Sequence, residues 1–311
     1  MESSNGRAAD GRSRRLRKGM YILPSLFTTA NLAAGFYAIS QTALGAAHAQ
    51  GFLATPGTDP LRLAATYFNH AALAIGFAVF FDGMDGAIAR LTHTTSDFGK
   101  ELDSLADVVT FGVAPGILAW MWGFLCLPLT LDVDLRDKLI QFGAIIAFAF
   151  LTAGACRLAR FNIQLNPQPK NPGRPGRKYF VGMPIPGGAG CIAAWVHLRL
   201  GYPVQDWRSS IVWMVYIFLC AFLMVSTWRF WSGKELSLSR RHPYQIFLLI
   251  AIVLFFILRF SQVVIFAIAL IYMFSGIWAR AAYSWSRRRR RGAPAALPDP
   301  NAAEPEPPNR S

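Results

Sequence analysis

The sequence is short of charge. Only 15% of its 311 residues are Asp, Glu, Lys or Arg, where soluble domains carry about 25%. Acid is scarcer still, with 17 Asp and Glu against 31 Lys and Arg. Hydrophobic residues make up 53%, which excludes an ordinary disordered chain and points to a protein whose solvent is partly lipid. Cysteine is sparse as well. Cys126, Cys156, Cys191 and Cys220 form no CxxC pair, so zinc and disulfide frameworks are excluded, and all four read as small buried hydrophobes. No internal repeat is visible. No cleavable signal peptide is expected, because the first apolar segment reads as a permanent span.

Long apolar runs are what the chain has instead. Ile246–Leu258 and Val263–Trp278 are separated by few polar residues, with Arg259 the charge at their junction. Runs of about 20 apolar residues are candidates to cross a bilayer. The pattern predicts an all-α polytopic bundle of about eight spans, near 23–44, 64–90, 103–128, 139–163, 181–200, 209–230, 244–259 and 261–284. A basic segment 1–22 precedes the membrane domain 23–284, and a basic, then Pro-rich tail 285–311 follows. Residues 13–22 read either as a short basic surface helix or as a solvated topology signal. The tail is expected to be disordered.

The net charge of +14 lies in tails and loops beside apolar spans, which argues against nucleic acid as a partner and for membrane orientation. With both tails inside, the inner loops hold Arg90, Lys100, Arg157, Arg160, Lys170, Arg174, Arg177, Lys178, Arg229, Lys234, Arg240 and Arg241. The outer loops hold Arg62, Arg136, Lys138, Arg199, Arg208 and Arg259. That is twelve against six, so the positive-inside rule puts both termini in the cytoplasm.

The acids are concentrated. Six of the 17 fall between Asp82 and Asp107. Carboxylates at membrane depth are costly and imply a partner or a function. Asp82 and Asp85 are three apart at the end of one span, and Asp103 and Asp107 four apart at the start of the next. Both spacings put side chains on one helix face. A short turn between antiparallel helices would bring the pairs together, and four facing carboxylates repel unless a cation lies between them. All-oxygen ligation suits Mg²⁺ or Mn²⁺. Gly86, Ala89 and Gly99 leave the helices bare enough for a nucleotide, and Arg90 and Lys100 supply charge for phosphate. The plainer reading, buried structural carboxylates paired with Arg90 or Lys100, stays open.

The segment resembles the CDP-alcohol phosphatidyltransferase signature, D-x-x-D-G-x-x-A-R, eight residues, then G-x-x-x-D-x-x-x-D. It reads Asp82-Gly83-Met84-Asp85-Gly86-Ala87-Ile88-Ala89-Arg90, then Gly99-Lys100-Glu101-Leu102-Asp103-Ser104-Leu105-Ala106-Asp107. The resemblance implies that Asp82, Asp85 and Asp103 are metal ligands. It implies that Asp107 is both ligand and base, and that Gly86, Arg90 and Ser96 contact the CDP moiety. Three further stretches are similar to the integral membrane phosphatidylserine synthase branch: 24–32, opening the first span, Arg157–Asn162, and 181–188. The implied reaction joins CDP-diacylglycerol and L-serine to give phosphatidylserine and CMP, and the resemblance also implies a homodimer.

Several assignments have two readings. Arg157, Arg160 and Asn162 could clamp the serine carboxylate bidentately, or serve as positive-inside charges. Gly182, Pro184, Pro186, Gly187 and Gly188 suggest an irregular helix start lining a cavity, or close packing. Gly112 and Gly116 form a small-xxx-small pair and read as packing. None of the five histidines is placed to be the base, His93 being nearest in sequence. Glycerol 3-phosphate, inositol phosphate and choline stay open as acceptors. A cation transporter is disfavoured, because the carboxylates cluster at one end of two helices and not near the midplane of several. A reporter that functions only in the cytoplasm, fused to the C-terminus, should be active; activity only of a reporter that needs export would reverse this orientation.

Overall fold

The computed structural model describes residues 5–53, 57–92, 97–163, 179–231, 255–256, 259–278 and 280–281, with the side chains of 5–26, 84–92, 97, 179–180, 229 and 231 outside that description. Among the described residues eight helices carry the fold: α1 (Asn5–Ala49), α2 (Pro60–Thr92), α3 (Asp97–Val108), α4 (Ala114–Trp120), α5 (Val133–Asn162), α6 (Ile185–Leu198), α7 (Trp207–Val225) and α8 (Arg259–Trp278). A π turn, Val109–Val113, joins α3 to α4, and a second, Met121–Leu125, follows α4, so 98–125 runs as one long element.

Five helices among the described residues are long and apolar enough to cross a bilayer: Pro60–Gly83, Phe98–Leu125, Val133–Asn162, Trp207–Val225 and Arg259–Trp278. Their outer faces carry large apolar side chains. Phe77, Phe142, Phe148, Val215 and Ile271 are all more than half exposed. In water such a surface would aggregate; in lipid it is solvated. The chain is a helical membrane protein. α6 is apolar but only 14 residues long. The apolar run expected at 23–44 lies within α1, where Asn31, Ser40, Gln41 and Thr42 dilute it. α1 also begins at Asn5, so the basic segment and that run share one helix. Most of the expected span at 244–259 lies outside the described residues.

The core runs along the bundle, from Phe111, Met183 and Phe230 near the acids to a tryptophan cluster at the remote end. Trp122 and Trp213 meet edge to face with ring centroids 5.1 Å apart, and Trp195 leans on Trp213 at 5.7 Å. Each buried indole finds an acceptor. Trp122 Nε1 donates to the Gly201 carbonyl at 3.0 Å, and Trp213 Nε1 to the Ala119 carbonyl at 2.9 Å. Ser210 Oγ donates to the Gly123 carbonyl at 2.9 Å. Gly123 must lack a side chain, since a Cβ there would meet the Trp213 indole. Gly112 and Gly116 face α5: a Cβ on Gly112 would come 2.8 Å from Leu151 Cδ1, and one on Gly116 3.5 Å from the Ala147 carbonyl. Cys126, Cys191 and Cys220 are buried. Cys156 is exposed, a correction to its expected burial: it shares the outer face of α5 with Phe148 and Thr152, where lipid and not protein would cover it.

Two helices start on aspartate caps at the end opposite the acidic cluster. Asp132 Oδ1 accepts from Leu135 N at 3.0 Å at the start of α5, and Asp206 Oδ2 from Ser209 N at 2.8 Å at the start of α7. The Ser209 backbone N–H, followed by its side chain, holds the Asp206 carboxyl below its ordinary range. This cap is therefore complete above the ordinary carboxylate range and is lost as pH falls through the depressed folded value.

The entry to α6 departs from the all-α expectation. β1 (Tyr179–Val181) pairs antiparallel with β2 (Arg229–Trp231), Phe180 opposite Phe230. Gly182 then turns with φ +75°, and its N–H donates to the Trp228 carbonyl at 2.8 Å, while Met183 N donates to the Leu223 carbonyl at 3.0 Å. A Cβ at Gly182 would lie 2.6 Å from the Met224 carbonyl oxygen. Gly182→Ala should thus lower the thermal unfolding midpoint in detergent. The left-handed backbone alone costs about 1–2 kcal/mol, and the collision adds to it; an unchanged midpoint would show that the ribbon does not fasten α6 to α7.

Candidate metal centre

α2 and α3 deliver the carboxylates. Asp82 lies one turn beyond Val79 on α2, and Asp103 and Asp107 lie one turn apart on α3. One oxygen from each of the three falls within 4.8 Å of the others. Oxygens sharing a Mg²⁺ at about 2.0–2.1 Å lie up to roughly 4.2 Å apart when opposite one another. A small side-chain adjustment would therefore close the triad on a hard cation, and its all-oxygen donor set suits one. Asp107 is 9% exposed, and Asp82 and Asp103 are half-buried.

Two other helices fix this acidic end. From α1, Thr28 Oγ1 donates to Asp103 Oδ1 at 3.4 Å. One turn further, the Asn31 carbonyl accepts from Thr110 Oγ1 in the first π turn at 3.0 Å. Close approach there requires Gly35, whose Cβ would sit 2.9 Å from Thr110 Cα. From α5, Asn162 Nδ2 donates to Ser104 Oγ at 2.8 Å, and Ser104 Oγ donates to the Lys100 carbonyl at 2.9 Å. Arg157 is also on α5 and 9% exposed. Its guanidinium lies over the Phe161 ring at 5.6 Å, within electrostatic reach of Asp107 and of Tyr272 on α8.

The expected site residues thus separate. Asp82, Asp103, Asp107 and Arg157 converge. Gly99 sits in the first turn of α3. Asn162 reaches the neighbour of Asp103 and fastens α5 to α3. Arg160 turns to α7, where Nη1 donates to the Val225 carbonyl at 3.5 Å, a cation at a helix C-terminus. Asp85, Gly86, Ala89 and Arg90 lie in the last turns of α2 with side chains outside the described residues, and Ser96 and His93 lie outside them altogether. Thr28 and Tyr272 were not singled out in the sequence. Thr28 could have been, three residues before Asn31 in a helix already marked by resemblance; nothing in the sequence pointed to Tyr272. Asn31 is 5% exposed, and its Oδ1 has no hydrogen-bond partner among the described residues.

Residues 21–201 match the model of the CDP-alcohol phosphatidyltransferase family. A CDP-diacylglycerol–serine O-phosphatidyltransferase of Helicobacter pylori is 30% identical over 219 residues, 70% of this chain and 75% of that protein. The Saccharomyces cerevisiae protein of the same name is 41% identical over 120 residues, 39% of this chain and 38% of that protein. That of Methanocaldococcus jannaschii is 36% identical over 143 residues, 46% of this chain and 58% of that protein.

The Thr28–Asp103 bond makes a prediction about metal affinity. Thr28→Val should weaken Mn²⁺ binding, followed by electron paramagnetic resonance, by roughly 10–100-fold, the usual effect of losing a group that orients a ligand. Unchanged affinity would separate Thr28 from the centre.

Proposed function

The chain belongs to the CDP-alcohol phosphatidyltransferase family, and on that premise we propose that it transfers the phosphatidyl group of CDP-diacylglycerol to the hydroxyl of L-serine, releasing CMP. One observation carries this reading. The Asp82–Asp103–Asp107 triad stands beside a buried arginine in a chain similar, over most of both lengths, to a serine transferase. Relatives from a bacterium, a yeast and an archaeon bear the same name, which favours serine over glycerol 3-phosphate, inositol phosphate or choline.

Asp82, Asp85 and Asp103 would hold a divalent cation, Mg²⁺ or Mn²⁺, with Asp107 as a further ligand. When bound, the cation neutralises charge on the pyrophosphate and on the leaving CMP. Asp107 takes the proton of the serine hydroxyl. The freed oxygen forms its bond to the phosphorus that bears the lipid, and the bond from that phosphorus to the CMP oxygen breaks. Gly86, Ala89, Arg90, Ser96 and Gly99 form the nucleotide side of the site. On the acceptor side, Arg157 is the cation beside Asp107, set to hold the anionic base in place and to meet the serine carboxylate. Arg160 and Asn162 act at one remove, by fastening α5 to α7 and α3.

The carboxylate end faces the cytoplasm, where the headgroup of CDP-diacylglycerol and soluble serine meet. The excess of inner-loop Lys and Arg supports that orientation, with both termini on the same side and about eight spans in the full chain. The resemblance supports a homodimer.

CMP release from CDP-diacylglycerol, measured with a panel of acceptor alcohols, tests the proposal. Serine should support turnover; release with glycerol 3-phosphate and not with serine would overturn it. Asp107→Asn should lower turnover by roughly 10²–10⁴-fold while keeping the helical circular dichroism of the parent. Substantial activity in that variant would remove Asp107 as the base.

A further inference from the structure

Apart from the carboxylates, three sulfur atoms meet where α6, α7 and α8 pack together. Cys191 of α6, Cys220 of α7 and Met273 of α8 are each 1% exposed or less. Cys220 Sγ lies 3.9 Å from Met273 Sδ, across 53 residues of chain. The Cys191 and Cys220 thiols are in hydrogen-bonding contact with each other. No CxxC spacing announces the group, because each sulfur comes from a different helix.

The neighbours hold this group in place without using up its lone pairs. Tyr216 Oη donates to the Cys191 carbonyl at 3.1 Å and so fixes the backbone behind the first thiol. Cys191 Sγ donates to the Ala269 carbonyl on α8 at 3.7 Å. Thiol and thioether sulfurs are weak acceptors of hydrogen bonds, but they are soft, polarisable ligands for metal. At the roughly 2.3 Å typical of a metal–thiolate bond, three sulfurs in a trigonal plane lie about 4.0 Å from one another. The Cys220–Met273 separation of 3.9 Å matches that triangle.

The donor set also selects the ion. Two thiols and a thioether suit Cu⁺, whereas magnesium, calcium and manganese take oxygen ligands. Charge points the same way. When the Cys220 thiol releases its proton to solvent, one thiolate and one Cu⁺ leave the site neutral. A neutral group is what an apolar interior tolerates. Entry is available from one side. Cys191 lines the groove of about 240 Å³ that α2, α6 and α8 enclose, together with Ala269 and Tyr272.

We propose that Cys191, Cys220 and Met273 form a three-sulfur site for a soft monovalent cation, Cu⁺, separate from the carboxylate centre. A bound ion would tie α6, α7 and α8 to one another through a single atom.

The test uses the full chain in detergent, kept anaerobic, with Cys156→Ser as the background so that the exposed thiol is removed. Cu⁺ is titrated in competition with a colorimetric chelator. One Cu⁺ should bind per chain, and X-ray absorption at the copper edge should count three sulfurs at about 2.3 Å. The thermal midpoint should rise with Cu⁺, because the ion favours the folded chain, and Mn²⁺ should not compete. Cys220→Ala should abolish binding. Met273→Leu keeps the apolar volume and should weaken binding, with one sulfur lost from the absorption spectrum. Cys126→Ala, whose thiol lies elsewhere in the core, should bind as the background does. Helical circular dichroism without metal checks that each variant folds, and Met273→Leu decides the matter if Cys220→Ala does not. No binding in the background chain, or binding unchanged in both Cys220→Ala and Met273→Leu, would overturn the proposal and leave the three sulfurs as packing only.

Discussion

Three carboxylates crowded within 4.8 Å at the edge of a membrane are the constraint on which the rest of this structure turns. Their mutual repulsion must be offset by positive charge, and their positions must be held against it. Part of the offset is built in, because Arg157 lies buried within reach of Asp107. The remainder suits a divalent cation. Holding the carboxylates in place requires helices that would otherwise only pass one another. α1 reaches Asp103 through Thr28, and α5 reaches the neighbour of Asp103 through Asn162.

Rigidity is arranged in two tiers. At the end remote from the acids, Trp122, Trp195 and Trp213 interlock, with the hydrogen bonds of Trp122 and Trp213 directed at backbone carbonyls. A carbonyl buried in an apolar bundle is costly unless it is paired, so these bonds orient the rings as well as fill space. At the acidic end the apolar packing of Phe111, Met183 and Phe230 is joined by polar contacts, by a short ribbon and by a positive-φ glycine. That division suits a site which must admit a nucleotide, a lipid and a soluble acceptor.

The chemistry was far more legible in the sequence than the architecture. Asp82, Asp103 and Asp107 stand out because acid is rare elsewhere in the apolar chain and because their spacing follows helical geometry. Most of the long spans were legible for the same reason, since hydropathy is a sum over neighbours. What escaped depends on contacts between residues far apart in the chain. Thr28 bonds a residue 75 positions away; the resemblance marked its segment, but nothing local told it from its neighbours. Tyr272 meets the environment of Arg157 only because α8 returns to that end. The β1–β2 ribbon was hidden because three-residue strands carry little periodicity, although Gly182 and the prolines after it did signal an irregular helix start. Cys156 was misplaced because, in a membrane protein, an apolar neighbourhood in sequence does not say whether protein or lipid covers a side chain.

The two π turns give the third long element a further property. Each π turn carries one more residue per hydrogen-bonded ring than an α turn, and in an α-helix one residue corresponds to about 100° of rotation. The first, Val109–Val113, lies between the segment bearing Asp103 and Asp107 and the segment facing the tryptophan core. It therefore acts as a phase offset. The acidic face and the packing face of one continuous rod are set to different compass bearings. Deleting a single residue there would leave the composition, charge and hydropathy of the rod nearly untouched, yet swing its carboxylates away from Asp82.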